Sequence, residues 1–372
     1  MADLPERMAD FIPGLELSRL FFFEAVRPVL DAEFPRLLYA AGLIGTGSEV
    51  LGFDTEMSTD HHWGPRVDLF VREEDYEAAR EGVSAVLRRR LPRRFRGYPT
   101  SFTEPDPKDN GVQHLVERDA GEVTHKVEVK TPRRFFLDYL AFDIACDIEP
   151  ADWLTFPEQK LRTVTSGAVF HDRVGLEEIR RRFSYYPHDL WLYLLACAWA
   201  RVGQEEHLMG RAGEVGDEIG SALIGARLVR DLMRLCFLME RVYAPYPKWF
   251  GTAFNRLACA EKLSPHLRAA LAATDWRGRE EQLCAAYRVV AGMHNALGVT
   301  EPLPAEPRDF FGRPFRVIAL HGFAGALLAR VGEERVRRIA ARRPIGSLDQ
   351  FSDSTDLVSH AAWRATLRKL YE

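Results

Sequence analysis

The chain has 372 residues, 47% hydrophobic and 28% charged, with a net charge of −4 and a pI near 6.3. That length exceeds one compact core and implies two or three domains, while the composition excludes a disordered chain. The slight acidity excludes a molecule that binds nucleic acid over its whole surface, though not one with a local basic groove.

The N-terminal "MADLPERMADF" carries acids and no apolar core of signal length. Helical spacing of Leu17, Leu20, Phe21, Val26 and Leu30 predicts two helical pieces over 15–41, interrupted at Pro28, with a short strand ending near Ile44. "GTGSEVLGFDTEMSTDHHWGPRVDLFV" (45–71) follows: a Gly-Thr-Gly-Ser turn, then Asp60, His61, His62 and Trp63, then a strand "RVDLFV" carrying Asp68. Residues 73–91 read as an amphipathic helix with acids at its start and arginines at its end, matching the helix dipole. Two alternating runs around "RDAGE" predict a β-hairpin over 111–130.

After about residue 150 the pattern changes. Residues 156–175 read as a connector, and nearly everything beyond is helical. "LWLYLLACAWA" (190–200) is too short to span a bilayer and fits a core helix. Residues 216–243 form a long helix with Arg227 and Asp231 as an i,i+4 pair. Residues 280–298 end at a glycine, and 332–343 form a last, basic helix. The five cysteines, Cys146, Cys197, Cys236, Cys259 and Cys284, are scattered and form no C-x-x-C pair, which points away from disulfides and zinc. The expectation is a cytoplasmic chain with no membrane partner and two domains, 1–150 mixed α/β and 151–372 helical.

Phosphoryl and nucleotidyl transfer ask a protein for metal-binding carboxylates and backbone amides that cradle phosphates. Magnesium takes hard oxygens, typically one or two carboxylates plus substrate phosphates. An apolar residue, Gly47, Ser48, a spacer of about a dozen residues and then Asp60 resembles the polymerase-β-like nucleotidyltransferase superfamily. Its signature is Gly-Ser followed by Asp-x-Asp and a third carboxylate on a later strand. The resemblance implies an α+β fold, with a small mixed-sheet domain followed by an all-helical domain. It also implies Gly47 and Ser48 on the nucleotide phosphates, Asp60 and Asp68 on Mg2+, and Glu128 of "KVEVK" as third acid or base. The chain departs from the signature at two places. His62 stands two residues beyond Asp60, where an acid is expected, so either Asp60 and Asp68 form the pair, His62 replaces one ligand, or the metal site is damaged. Arg66 stands two residues before Asp68.

The second half resembles the helical half of aminoglycoside adenylyltransferases in "GDEIGSALIGARLVRDLMRL" and "YPKWFGTAFNRL". There Asp217 and Glu218 would face the acceptor, and Lys248, with Trp249, would meet the nucleotide. With the phrases "SGAVFHD", "YYPHDLWLY" and "MHN", the chain resembles an uncharacterised bacterial branch of that superfamily.

Plainer readings compete at each position. Gly45 and Gly47 serve any strand-to-helix turn, and Asp60 any loop cap. Glu128 falls on a polar strand face with Lys126 and Lys130, as an exposed edge residue would. Asp68 is harder to dismiss, because an acid within an apolar strand is costly unless paired. The adjacent His61 and His62 suit a transition metal or, more simply, orient a loop by hydrogen bonds. Lys248 could merely begin a helix. "RRRLPRRFR" (88–96) reads as a solvated helix end. Arg182 and His188 carry the spacing of helical ribonuclease toxins, but Pro187 between them breaks the helix that spacing requires.

The resemblance thus implies transfer of a nucleoside monophosphate from an NTP, ATP foremost, to a hydroxyl on a small molecule, protein or RNA, with Mg2+. The rivals are a catalytically impaired nucleotide-binding pseudoenzyme and a toxin–antitoxin-type module.

Overall fold

The computed structural model describes residues 11–60, 62–109, 111–342 and 344–372, the side chain of Asp60 excepted. The chain divides into two units, one of residues 1–147 with 160–184, the other of 148–159 with 185–372. It therefore passes between units at 147, 159 and 184, whereas the sequence suggests a single passage near 150.

The first unit opens with helices α1 (Gly14–Phe21) and α2 (Arg27–Glu33), joined by a π-helical turn over Phe22–Val26. Pro28 lies at the start of α2. The wide turn before it accommodates a ring that can neither donate to the preceding turn nor clear its carbonyl. Strand β1 (Tyr39–Leu43), strand β2 (Arg66–Val71) and helix α3 (Tyr76–Arg90) follow where the periodicity places them.

The expected hairpin over 111–130 does not form. Leu115–Val116 pairs with Ser101–Phe102, and strand β3 (Lys126–Lys130) instead runs parallel to β2. The parallel partner buries Val127 in the main core, which a two-residue ladder at Leu115 could not do. Helix α4 (Pro132–Leu140) closes this part, its cap Thr131 accepting the Arg134 amide at 3.2 Å.

Helix α5 (Pro150–Thr155) belongs to the second unit, and along α6 (Glu158–Thr165) the chain returns to the first. Strand β4 (Ala168–Asp172) then joins the sheet antiparallel to β1, so 156–175 is not a mere connector. The sheet order is β3-β2-β1-β4, with β3–β2 parallel and the other pairs antiparallel. Helix α7 (Leu176–Arg181) completes the unit. Strand alternation explains the layering. Val67, Leu69, Val71 and Val127 point into a core with Leu17, Phe21, Leu30, Val83 and Leu87 of α1–α3. Arg66, Asp68 and Phe70 point the opposite way, beside Lys126, Glu128 and Lys130.

The second unit is helical. Helix α8 (His188–Glu214) carries Leu190, Trp191, Leu194, Leu195 and Trp199, all buried. Helices α9 (Glu218–Met239), α10 (Phe250–Phe254), α11 (Ala260–Ala272) and α12 (Trp276–Ala296) follow. A two-stranded hairpin, Arg308–Phe310 with Arg313–Val317, interrupts the helices, and short helical turns continue past the basic helix Glu334–Ala341 to Leu370. Arg227 pairs with Glu205 at 2.8 Å and the buried Asp231 with Arg201 at 3.3 Å, so the expected Arg227–Asp231 pair is absent. The cysteines are all free, and no described helix is long and apolar enough to cross a membrane. The architecture is α+β, a small mixed sheet followed by a helical region.

Candidate functional site

Asp68 and Glu128 are register partners on adjacent parallel strands and share one sheet face. A single cation joins them: the Lys130 ammonium lies 2.7 Å from Asp68 Oδ1 and 2.7 Å from Glu128 Oε2. Asp68 is buried, while Glu128, on the edge strand, leaves about half its side chain exposed at 49%. Glu128 thus sits at a sheet edge, as the plainer reading has it, and faces Asp68. Burial pushes the Glu128 carboxyl up, but the charges of Lys130, Lys126 and Arg66 outweigh it and hold the group below the usual value. Burial pulls the Lys130 ammonium down, and the two acids more than reverse that.

The Gly-Thr-Gly-Ser turn leaves the end of β1. Gly45 and Gly47 have φ of +84° and +139°, a region closed to most side chains. A Cβ on Gly47 would lie 2.4 Å from Arg66 Nη2 and 2.5 Å from Glu49 Oε2. Arg66 donates to Glu49 Oε1 at 2.8 Å and to the Thr46 carbonyl at 2.6 Å. The buried Glu49, next to Ser48, thus compensates the Arg66 charge. Burial lowers the Arg66 guanidinium and the neighbouring carboxylates Glu49 and Asp68 raise it further than that.

The Gly45 amide donates to the Thr163 carbonyl at 3.0 Å. The Ser48 carbonyl accepts from Leu51 at 3.1 Å and Phe53 at 3.0 Å. The next three amides of the turn, those of Thr46, Gly47 and Ser48, have no acceptor among the described residues. Successive amides of this kind form an anion-binding concavity.

The other predicted residues are placed less simply. The Asp60 side chain and His61 lie outside the described residues. His62 takes φ +51°, donates its amide to Gln113 at 2.8 Å and sets Nδ1 3.0 Å from the Lys126 ammonium. Among the described residues no three His, Cys, Asp or Glu side chains gather as a metal cluster. Trp63 is buried, stacks on Phe11 at 5.6 Å and donates Nε1 to Asp54 at 3.0 Å.

Lys248 and Trp249 belong to the second unit, on a short turn Pro247–Trp249, with the Lys248 ammonium 5.3 Å from the Trp249 ring. Asp217 caps α9 through the Gly220 amide at 2.7 Å. Glu218 accepts the Trp276 amide at 3.1 Å and meets Arg279 at 3.4 Å. Both acids are engaged in holding helices. Arg182 lies just past α7, and His188 begins α8 in the other unit, so they share no helix.

Three features escape a sequence reading centred on acids: Lys130 as the bridge, the Arg66–Glu49 pair, and Lys160. The period-2 spacing of "KVEVK" carried the signal for Lys130. Lys160 donates to the Tyr139 carbonyl at 2.8 Å and lies 4.5 Å from the Tyr139 ring. Burial lowers its ammonium to about 8. Tyr139 meets Thr163 Oγ1 at 2.6 Å, which ties this lysine's surroundings to the glycine turn.

A family model described as a domain of unknown function (DUF4037) matches residues 153–250. A search of curated proteins gives no match. Among solved structures, a nucleotidyltransferase-like protein from Exiguobacterium sibiricum 255-15 is 10% identical and superposes loosely, with a TM-score of 0.32 over 77% of this chain and 82% of that one.

Proposed function

We propose that this chain is a nucleotidyltransferase-type protein that binds an NTP, with ATP as the nucleotide, and transfers its NMP to a hydroxyl acceptor with Mg2+. The observation that carries the reading is the pairing of Asp68 with Glu128 on one sheet face whose neighbour Arg66 reaches the glycine turn. The amides of Thr46, Gly47 and Ser48, which have no acceptor among the described residues, would receive phosphate oxygens, and Arg66, Lys126 and Lys130 supply positive charge on the same face. Asp68 and Glu128 fit magnesium in donor type, since both present hard oxygens and already share one cation. Asp60 and, less favourably, His62 would complete the ligand set. Bound there, the metal would neutralise phosphate oxygens and orient the reacting phosphorus. Glu128, ionised at neutral pH, could accept the acceptor's proton. The acceptor is a small molecule, protein or RNA. A cytoplasmic setting supplies both NTP and magnesium.

A second reading has a specific observation behind it. Lys130 fills the place between the carboxylates, and Arg66 replaces an acid, which favours a nucleotide-binding protein without transfer. Calorimetry with the four NTPs, with and without Mg2+, separates the two. The transferase reading expects magnesium-dependent binding that is lost in Asp68→Ala and strengthened for the metal in Lys130→Met. Binding that ignores magnesium and disappears in Lys130→Met would support the second reading. No binding of any nucleotide would dismiss both.

A further inference from the structure

The end of α9 and the start of α11 bring two thiols together within the second unit. Glu240 caps α9, and its amide donates to the Cys236 carbonyl at 2.9 Å, which sets the two side chains one turn apart on one side of the helix. The Glu240 carboxylate accepts the amides of Ala258 at 2.7 Å and Cys259 at 2.8 Å. Cys259 is in turn the N-terminal cap of α11, its carbonyl taking the Leu263 amide at 3.0 Å and its sulfur taking no capping amide. The Cys259 backbone is thus clamped beside Cys236, and the Cys236 thiol hydrogen-bonds to the Cys259 sulfur. Two of the other cysteines are placed differently: Cys197 hydrogen-bonds with Tyr193, and Cys146 is exposed.

We propose that Cys236 and Cys259 form a reversible oxidation site, a dithiol that hydrogen peroxide converts to a disulfide joining α9 to α11. Cys236 is completely buried, whereas Cys259 is 7% exposed and follows the exposed Ala258, so the oxidant meets Cys259 first. The hydrogen bond to Cys259, then burial, push the Cys236 thiol well above its usual value, and this sulfur keeps its proton until the second step. In the first step the Cys259 sulfur gives its proton to solvent and attacks one peroxide oxygen. The O–O bond breaks, leaving a sulfenic acid on Cys259 and a hydroxide that is protonated to water. In the second step the Cys236 sulfur attacks the sulfenic sulfur. The S–S bond forms as the S–O bond breaks, and the hydroxyl leaves with the Cys236 proton as water. Together the thiols lose two electrons and two protons, and the peroxide is reduced to two waters. A second thiol already in contact diverts the sulfenic acid from further oxidation. The cross-link closes a loop over 237–258, and exchange with a reducing thiol reopens it.

Thiol titration of the full chain before and after hydrogen peroxide tests the proposal, in a Cys146→Ser background that removes the exposed thiol. Peroxide should remove two thiols, which dithiothreitol restores, and peptide mapping without reductant should find Cys236 joined to Cys259. Cys259→Ser should abolish the loss altogether. Cys236→Ala should leave a sulfenic acid on Cys259 that dimedone labels. Full retention of thiols, at a peroxide concentration that oxidises Cys146 of the wild type, would overturn the site. So would a bond mapped to another pair, or a two-thiol loss that persists in Cys259→Ser.

Discussion

At the scale of single residues, the site is governed by charges that satisfy one another. Asp68 could not be buried within an apolar strand alone, and Lys130 lets it remain there. Gly47 shows how one position serves two purposes. Its φ of +139° and its contact with the Arg66–Glu49 pair require glycine for structural reasons, whether or not a phosphate ever binds. Gly47→Ala should therefore destabilise the first unit by about 1–3 kcal/mol, read as a lower urea midpoint at unchanged slope. A variant as stable as wild type would mean the turn is not held as described. Gly47 and Asp68 were legible in the sequence, because a glycine turn and a stranded acid violate local rules. Glu49 was not legible as Arg66's partner, since two residues seventeen apart announce nothing until the strand turns Arg66 toward the turn.

Elements tell a similar story. Period-2 alternation located β2, and the amphipathic pattern with its acids and arginines located the helix after it to within three residues, because one buried face leaves a plain pattern. The partner of β3 was misjudged, since alternation gives a strand's faces but not its neighbour, and a nearby turn signal suggested a hairpin. β4 hid within an apparent connector, as a short edge strand with half-buried residues has little pattern to show.

The buried acids at helix ends in the second unit were equally invisible. Glu158, at the start of α6, accepts the Ala244 amide at 3.0 Å, and its own amide donates to Asp349 at 2.9 Å. Burial, then the nearby Asp349 charge, push the Glu158 carboxyl up to about 7. A folded-state pKa above the unfolded one adds stability at low pH that is lost as pH rises through the folded value. Wild type should thus lose stability between about pH 4.5 and 7 relative to Glu158→Gln, which keeps the acceptor oxygen without the charge. Parallel denaturation curves at pH 5 and 7.5 check this. A difference independent of pH would contradict a raised carboxyl.

Across the whole molecule, composition and periodicity conveyed an α+β protein with a small mixed sheet ahead of a helical region, because helix and strand periods differ so clearly. The path of the chain was not conveyed. Residues 160–184 return to the first unit, and nothing local in a strand-poor stretch says which core it will join. The functional reading rests on the first unit, where the glycine turn, Asp68, Glu128 and three cations share a small area of one sheet. The measurement that tests it most directly is hydrogen–deuterium exchange of the full chain with and without ATP and Mg2+. Slowed exchange centred on residues 45–51, 66–71 and 126–130 is the predicted result. Unchanged exchange there, with protection elsewhere or nowhere, would contradict a nucleotide site on this face.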